Sequence, residues 1–167
     1  MKTKEITLLL GGNVGDTRGY IRNALGLLEH RLGHLTHQSY FYQTASWGFD
    51  SADFINLAIC LETQHTAKEC LKITQEVEAE LGRHRYNHEE GYTDRTIDID
   101  ILFYGSDIMD DEILNIPHPR LHLRNFALEP LTEILPNFIH PVLHKSMTQL
   151  RDICTDTSKV TRLNEQI

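Results

Sequence analysis

Arg95-Thr96-Ile97-Asp98-Ile99-Asp100-Ile101-Leu102-Phe103-Tyr104 decides how this chain is read. Ile, Thr, Phe and Tyr dominate it, and Gly105-Ser106-Asp107 closes it with a turn, so it predicts a β-strand. Successive strand side chains point to opposite faces. Ile97, Ile99, Ile101 and Phe103 should therefore share a core face. Asp98 and Asp100 share the other, continued by Leu102 and Tyr104. At the usual strand rise the two carboxylates leave the backbone about 6.5 Å apart. Like charges fixed on one face of an apolar strand repel each other and resist burial. A divalent cation between them relieves both problems, and oxygen-only ligands favour a hard ion, Mg²⁺ first. Arg95, three residues ahead of Asp98, adds a guanidinium fork suited to a polyphosphate. The plain alternative is an edge strand with one wet face.

The flanking sequence builds an alternating β and α pattern. Ile6 to Leu10 reads as a buried strand, followed by the turn Gly11-Gly12-Asn13-Val14-Gly15-Asp16. That turn lacks the Lys-Ser/Thr of a P-loop and the spacing of a dinucleotide fingerprint, so a tight connection is the simpler reading. Asp16 predicts an N-cap for a helix carrying Ile21, Leu25, Leu28 and Leu32 on one face, stopped by Gly33. Leu35 to Tyr42 predicts a strand, Gln43 to Asp53 a loop, and Phe54 to Thr63 another strand with Phe54, Asn56, Ala58 and Cys60 on one face. Thr66-Ala67-Lys68-Glu69 is a capping box opening a helix that stops at Gly82. Arg83 to Asp94 is polar and without apolar periodicity, a candidate mobile loop before the Asp98 strand. Beyond Tyr104, Ile108 and Leu114 to Ile116 read as short extended pieces, and Arg124 to Leu135 and Met147 to Ile153 as helices. The polar last dozen residues should fray. The order β-α-β-β-α-β predicts an α+β, ferredoxin-like antiparallel sheet with helices, plus a C-terminal extension, all in a single domain over residues 1–167.

The bulk composition narrows function. A net charge of -8 argues against a nucleic-acid-binding surface. An RNA-binding sheet of similar topology should carry basic and aromatic residues, not paired acids. Cys60, Cys70 and Cys154 are odd in number and lack metal-site spacing, which suits reduced thiols. The N-terminus shows no secretory apolar region and no run reaches membrane-spanning length, so the cytoplasm and no membrane partner are expected. A monomer is expected.

The signature around Asp98 resembles that of the 6-hydroxymethyl-7,8-dihydropterin pyrophosphokinases. The resemblance extends through Gly11-Gly12-Asn13, Phe41-Tyr42-Gln43-Thr44, Phe54-Ile55-Asn56, Thr74-Gln75 with Glu78, and Gly82-Arg83. It continues in Ile116-Pro117-His118 and Arg124-Asn125-Phe126. It implies pyrophosphate transfer from ATP to the pterin hydroxymethyl group, with AMP released, in folate biosynthesis. Asp98 and Asp100 would hold two Mg²⁺ ions, and with Arg83 and Arg95 they form the implied catalytic set. Phe54 and Phe126 would sandwich the pterin, with Asn56 and the backbone of Thr44 and Ala45 reading its polar edge and Trp47 nearby. Gln75, Glu78, Arg83, Arg85, Arg95, Ile101, His118 and Arg124 would lie along the ATP. The chain departs from the family pattern before the signature, where Asn87 to Asp94 carries Glu89, Glu90 and Asp94, and Tyr92 stands where a Trp is common. Gly12 replaces a usual Ser and Pro119 follows His118. Acids near an incoming phosphate imply altered loop closure or ATP affinity, and the alternative reading is a catalytically impaired pterin- or nucleotide-binding relative.

Overall fold

The computed structural model describes residues 2–45, 53–82 and 96–164. Its elements in chain order are strand β1 (Lys4–Gly12), helix α1 (Thr17–Arg31), strands β2 (Gly33–Gln38), β3 (Tyr42–Thr44) and β4 (Phe54–Thr63), and helix α2 (Ala67–Glu80). Strands β5 (Asp98–Tyr104), β6 (Met109–Asp110) and β7 (Asn115–Ile116) follow, then helices α3 (Asn125–Ile134) and α4 (Met147–Ile153) and strand β8 (Val160–Arg162). Asp16 caps α1, its carboxylate accepting the Gly19 N–H at 3.1 Å. Thr66 and Glu69 form the expected reciprocal box on α2.

The sheet runs β5-β1-β4-β3-β8, with β2 on the same side of β4 as β3. Its pairings are antiparallel. The predicted strand from Leu35 to Tyr42 is thus two strands. Gly33–Gln38 pairs the far half of β4 and Tyr42–Thr44 the near half. Between them the Ser39 hydroxyl accepts the Ala58 N–H at 2.9 Å, replacing a ladder bond.

Each face of the sheet has its own core. Ile6, Leu8, Leu10, Leu57, Ile59, Leu61, Ile99 and Ile101 pack against α1 and α2 through Ile21, Leu25, Leu28, Cys70 and Val77. Leu9, Ala58, Leu102 and Phe103 pack on the opposite face against α3 and α4, through Leu128, Leu131, Met147 and Leu150. Cys60 and Cys70 are buried, and burial pushes their thiols up to about 12 and about 11, so they behave as small apolar core residues.

Phe103 does not continue the Ile97-Ile99-Ile101 face. Thr7 pairs Phe103 while Leu8 pairs Ile101, so Leu102 is an extra residue in the β5 ladder. This β-bulge carries both Leu102 and Phe103 to the α3 side, and Tyr104 packs against the α1 and α2 core instead. The C-terminal residues do not fray up to Asn164: Val160–Arg162 pairs with Thr44–Tyr42, and the Leu163 N–H donates to Phe41 O at 2.8 Å.

Candidate active site

Register places the site on the face bearing α3. Asp98 pairs Gly11, Gly11 pairs Asn56 and Asn56 pairs Tyr42, so these residues form one row across β5, β1, β4 and β3. Asp100, Leu9 and Ala58 form the next row. Cross-strand partners present their side chains to the same face. Asp98 and Asn56 thus stand two strands apart, roughly 10 Å, with Gly11 between them. Gly11 has no Cβ, and that gap is occupied: an added Cβ would lie 2.0 Å from Asn56 Oδ1. The Asn56 amide therefore lies over bare β1 backbone, and the floor between amide and acids is flat.

Above this floor is a cavity of about 500 Å³, within the range of small-molecule sites. Thr44, Ala45, Phe54 and Asn56 line it on one side, and Asp98 and Asp100 on the other. Arg124 and Phe126, from the start of α3, close it above, and Arg124 stacks over Phe126 with the guanidinium carbon 5.5 Å from the ring centre. The Thr44 hydroxyl is buried with no hydrogen-bond partner among the described residues. An orphaned buried hydroxyl is costly, and a ligand bearing a donor or acceptor relieves it. Behind it, the Tyr42 hydroxyl donates to Glu133 on α3 at 2.6 Å, and burial together with that carboxylate pushes the phenol well up, so it stays protonated.

The acid-bearing strand is fixed from outside. β5 ends the sheet order, so its outer edge lacks a strand partner among the described residues. Glu78 reaches from α2, nearly fully buried, and its carboxylate accepts the Ile99 N–H at 2.7 Å, between the two aspartates. The His118 N–H donates to Leu102 O at 3.0 Å on the same strand. His118 is held below the usual imidazole range by burial and by the nearby Arg124 and Arg120, against the pull of Asp98. These influences favour the neutral ring. Its Nδ1 accepts the Arg120 N–H at 3.1 Å, which puts the ring hydrogen on Nε2.

The cavity thus brings together Thr44, Ala45, Phe54, Asn56, Asp98, Asp100, Arg124 and Phe126. Glu78 and His118 stand behind it on the outer edge of β5. Ile101 points its side chain into the α1 and α2 core, and Gln75 is exposed on α2. Trp47, Arg83, Arg85, Arg95 and the acidic stretch 87–94 lie outside the described residues. Leu9, Leu123, Asp156 and Ser158 also line the cavity and were not singled out by sequence. Gly11 was visible as part of a turn, but its function as open floor depends on pairing with Asn56.

Residues 7–136 match the family described as 7,8-dihydro-6-hydroxymethylpterin-pyrophosphokinase. A 2-amino-4-hydroxy-6-hydroxymethyldihydropteridine pyrophosphokinase of Porphyromonas gingivalis is 38% identical over 139 residues, covering 81% of this chain and 93% of that relative. The Bacillus subtilis protein of the same name is 40% identical over 129 residues, covering 76% of this chain and 75% of its own. Among solved structures, the wild-type HPPK-DHPS of Plasmodium falciparum superposes with a TM-score of 0.73 at 17% identity over 90% of this chain, which is likeness of fold. This chain spans less than half of that one, 44%. By sequence, the chain belongs to the 7,8-dihydro-6-hydroxymethylpterin-pyrophosphokinase family.

Proposed function

We propose that the chain transfers pyrophosphate from ATP to the hydroxymethyl group of 6-hydroxymethyl-7,8-dihydropterin, giving the pterin diphosphate and AMP for folate synthesis. Family membership supports the reaction. The single observation that carries its placement is the row Asp98–Gly11–Asn56, which sets a polar reader and an acid pair at opposite ends of one flat floor.

In this reading the pterin lies across β1 between Phe54 and Phe126. Asn56 and the Thr44 hydroxyl pair with its polar edge, and the orphaned Thr44 oxygen supports that assignment. The hydroxymethyl group then points along the row toward Asp98. Asp98 and Asp100 fit a pair of Mg²⁺ ions: both are carboxylates, they share one face of one strand, and both line the cavity. When bound, the ions supply charge neutralisation for the triphosphate and the developing charge of phosphoryl transfer. Arg124 lines the cavity as an anion-binding group, Arg83, Arg85 and Arg95 are assigned to the phosphates by the family resemblance, and Gln75 and His118 are assigned to the nucleotide. Glu78 acts by holding the Ile99 amide, which fixes the spacing of the two acids. Ile101 meets the nucleotide through its backbone, since its side chain is in the core. Trp47 adds to the pterin side.

The fold in this reading is ferredoxin-like. The strand order β5-β1-β4 with β2 outermost, each neighbour antiparallel, supports it, and α3, α4 and β8 extend that unit on its second face. Cores on both faces of one sheet support a single domain.

Labelling tests the reaction class. ATP carrying distinguishable β- and γ-phosphorus labels should deliver both to the pterin. Delivery of the γ label alone would make the chain an ordinary kinase and overturn the proposal.

A further inference from the structure

Residues 155–163, near the end of the described chain, lie beyond the family match, which ends at residue 136. This segment nevertheless forms part of the cavity wall through Asp156 and Ser158. Its hydrogen bonds explain why it sits there. Asp156 Oδ2 accepts the Asn125 N–H at 2.9 Å, and the Asn125 side-chain amide donates to Asp156 O at 2.6 Å. Asp156 Oδ1 accepts the Ser158 N–H at 2.9 Å. Burial pushes this carboxyl up, but the hydrogen bonds from Asn125 and Ser158 outweigh it and hold it below the usual range.

Asn125 stands between Arg124 and Phe126, and it is the first residue of α3. The residue ahead of it, Arg124, makes no side-chain cap bond. The helix end that presents the two upper cavity residues is therefore capped from 31 positions away in sequence. The N-terminal end of a helix favours both an acceptor and a negative charge, and Asp156 supplies both. Two residues past Ser158, the same segment enters the sheet: Val160 pairs Thr44 and Arg162 pairs Tyr42, and Leu163 bonds to Phe41. One short segment thus ties the Thr44 wall of the cavity to the Arg124–Phe126 wall.

We propose that residues Asp156–Leu163 are a strap that sets the width of the pterin slot, with Asp156 as its positioning residue. The inference rests on the proposed placement of the pterin between these walls. Asp156 touches neither reacting group. It holds the α3 end that carries Arg124 and Phe126 at a fixed distance from Thr44 and Phe54, so it governs binding of the flat pterin more than the chemical step.

The test is steady-state kinetics on the full chain with pterin varied at saturating Mg²⁺-ATP. Asp156→Ala should raise KM for the pterin about tenfold and leave kcat within about threefold, because a loosened slot loses preorganised binding before it loses chemistry. Asp156→Asn, which keeps one acceptor for the Asn125 amide, should recover most of the KM. A partly unfolded variant would behave differently, losing kcat in proportion to active protein with KM unchanged. An unchanged KM, or a loss confined to kcat, overturns the strap. If the wild-type chain makes no pterin diphosphate, the functional reading itself has failed. The strap is then decided by hydrogen exchange at the Asn125 amide, which should speed up in Asp156→Ala, and equal exchange in both proteins overturns it.

Discussion

Replacing Gly11 by Ala tests the floor of the site with a single methyl group. The new Cβ would lie 2.0 Å from Asn56 Oδ1, 3.0 Å from Asn56 Cγ and 3.1 Å from Ile55 O. The carbonyl belongs to a strand in register with β1 and has little freedom. The Asn56 side chain is the part that can move, so it swings off the floor. The cost of forcing a methyl into packed surroundings is typically about 1–3 kcal/mol of stability. In the proposed placement, taking Asn56 away from the pterin edge should remove about 1–3 kcal/mol of binding, roughly 5- to 150-fold in Kd. Calorimetric titration of the pterin in the presence of a non-hydrolysable ATP analogue and Mg²⁺ measures this, with ATP-analogue affinity as the unaffected comparison. A double-mutant cycle sharpens it: in an Asn56→Ala background, Gly11→Ala should cost little further binding, because the clashing group is gone. Additive losses in the double variant would refute the idea that Gly11 works by making room for Asn56.

Glu78→Ala should leave the Ile99 amide unpaired at the edge of β5 and loosen the spacing of Asp98 and Asp100. Denaturant unfolding should show a loss of about 1–3 kcal/mol, and kcat should fall, while Glu78→Gln, which keeps an acceptor, should be milder on both counts. Chelation of divalent cations should abolish turnover, and Asp100→Asn should require more Mg²⁺ for half-maximal rate; an undiminished rate in excess chelator would remove the metals from the account. Acid stability should depend on His140, which is 4% exposed and accepts the Val142 and Leu143 N–H groups at Nδ1. Burial, then the nearby His122 and His144, lower it from 6.5 to about 4. The folded protein therefore binds fewer protons than the unfolded chain between these values, so stability is flat above about pH 7 and declines as pH falls from about 6.5 to 4, by on the order of 3 kcal/mol. Unfolding midpoints at pH 7.5 and 5.0 should differ in the wild type and differ less in His140→Gln; equal slopes would refute the assignment.

Much of this site was legible because it is built from local patterns. The capping box at Thr66, the N-cap at Asp16 and the alternation of Asp98 and Asp100 with isoleucines depend on neighbours within a few positions. The sequence resemblance then singled out Phe54, Asn56, Arg124 and Phe126, and the cavity brings these together. What escaped is long-range. The bulge at Leu102 depends on how Thr7 and Leu8 meet β5, and alternation alone cannot register an extra residue. Tail strand β8 is short and polar, and it exists because β3 offers it an edge. Asp156 carries no signal of its own, since its partner Asn125 lies far away in the chain. Ile101 and Gln75 show the converse: matching a pattern did not by itself bring their side chains to the cavity.

In the proposed function, pyrophosphate transfer takes place at the Asp98–Asp100 end of the floor. A phosphorus NMR time course with Mg²⁺-ATP and 6-hydroxymethyl-7,8-dihydropterin tests it directly, run on the wild-type chain and on Asp98→Ala. AMP and a pterin diphosphate should appear together in equal amounts, and the variant should make neither while keeping its fold. ADP or free phosphate from the wild type, or undiminished product from Asp98→Ala, would contradict it.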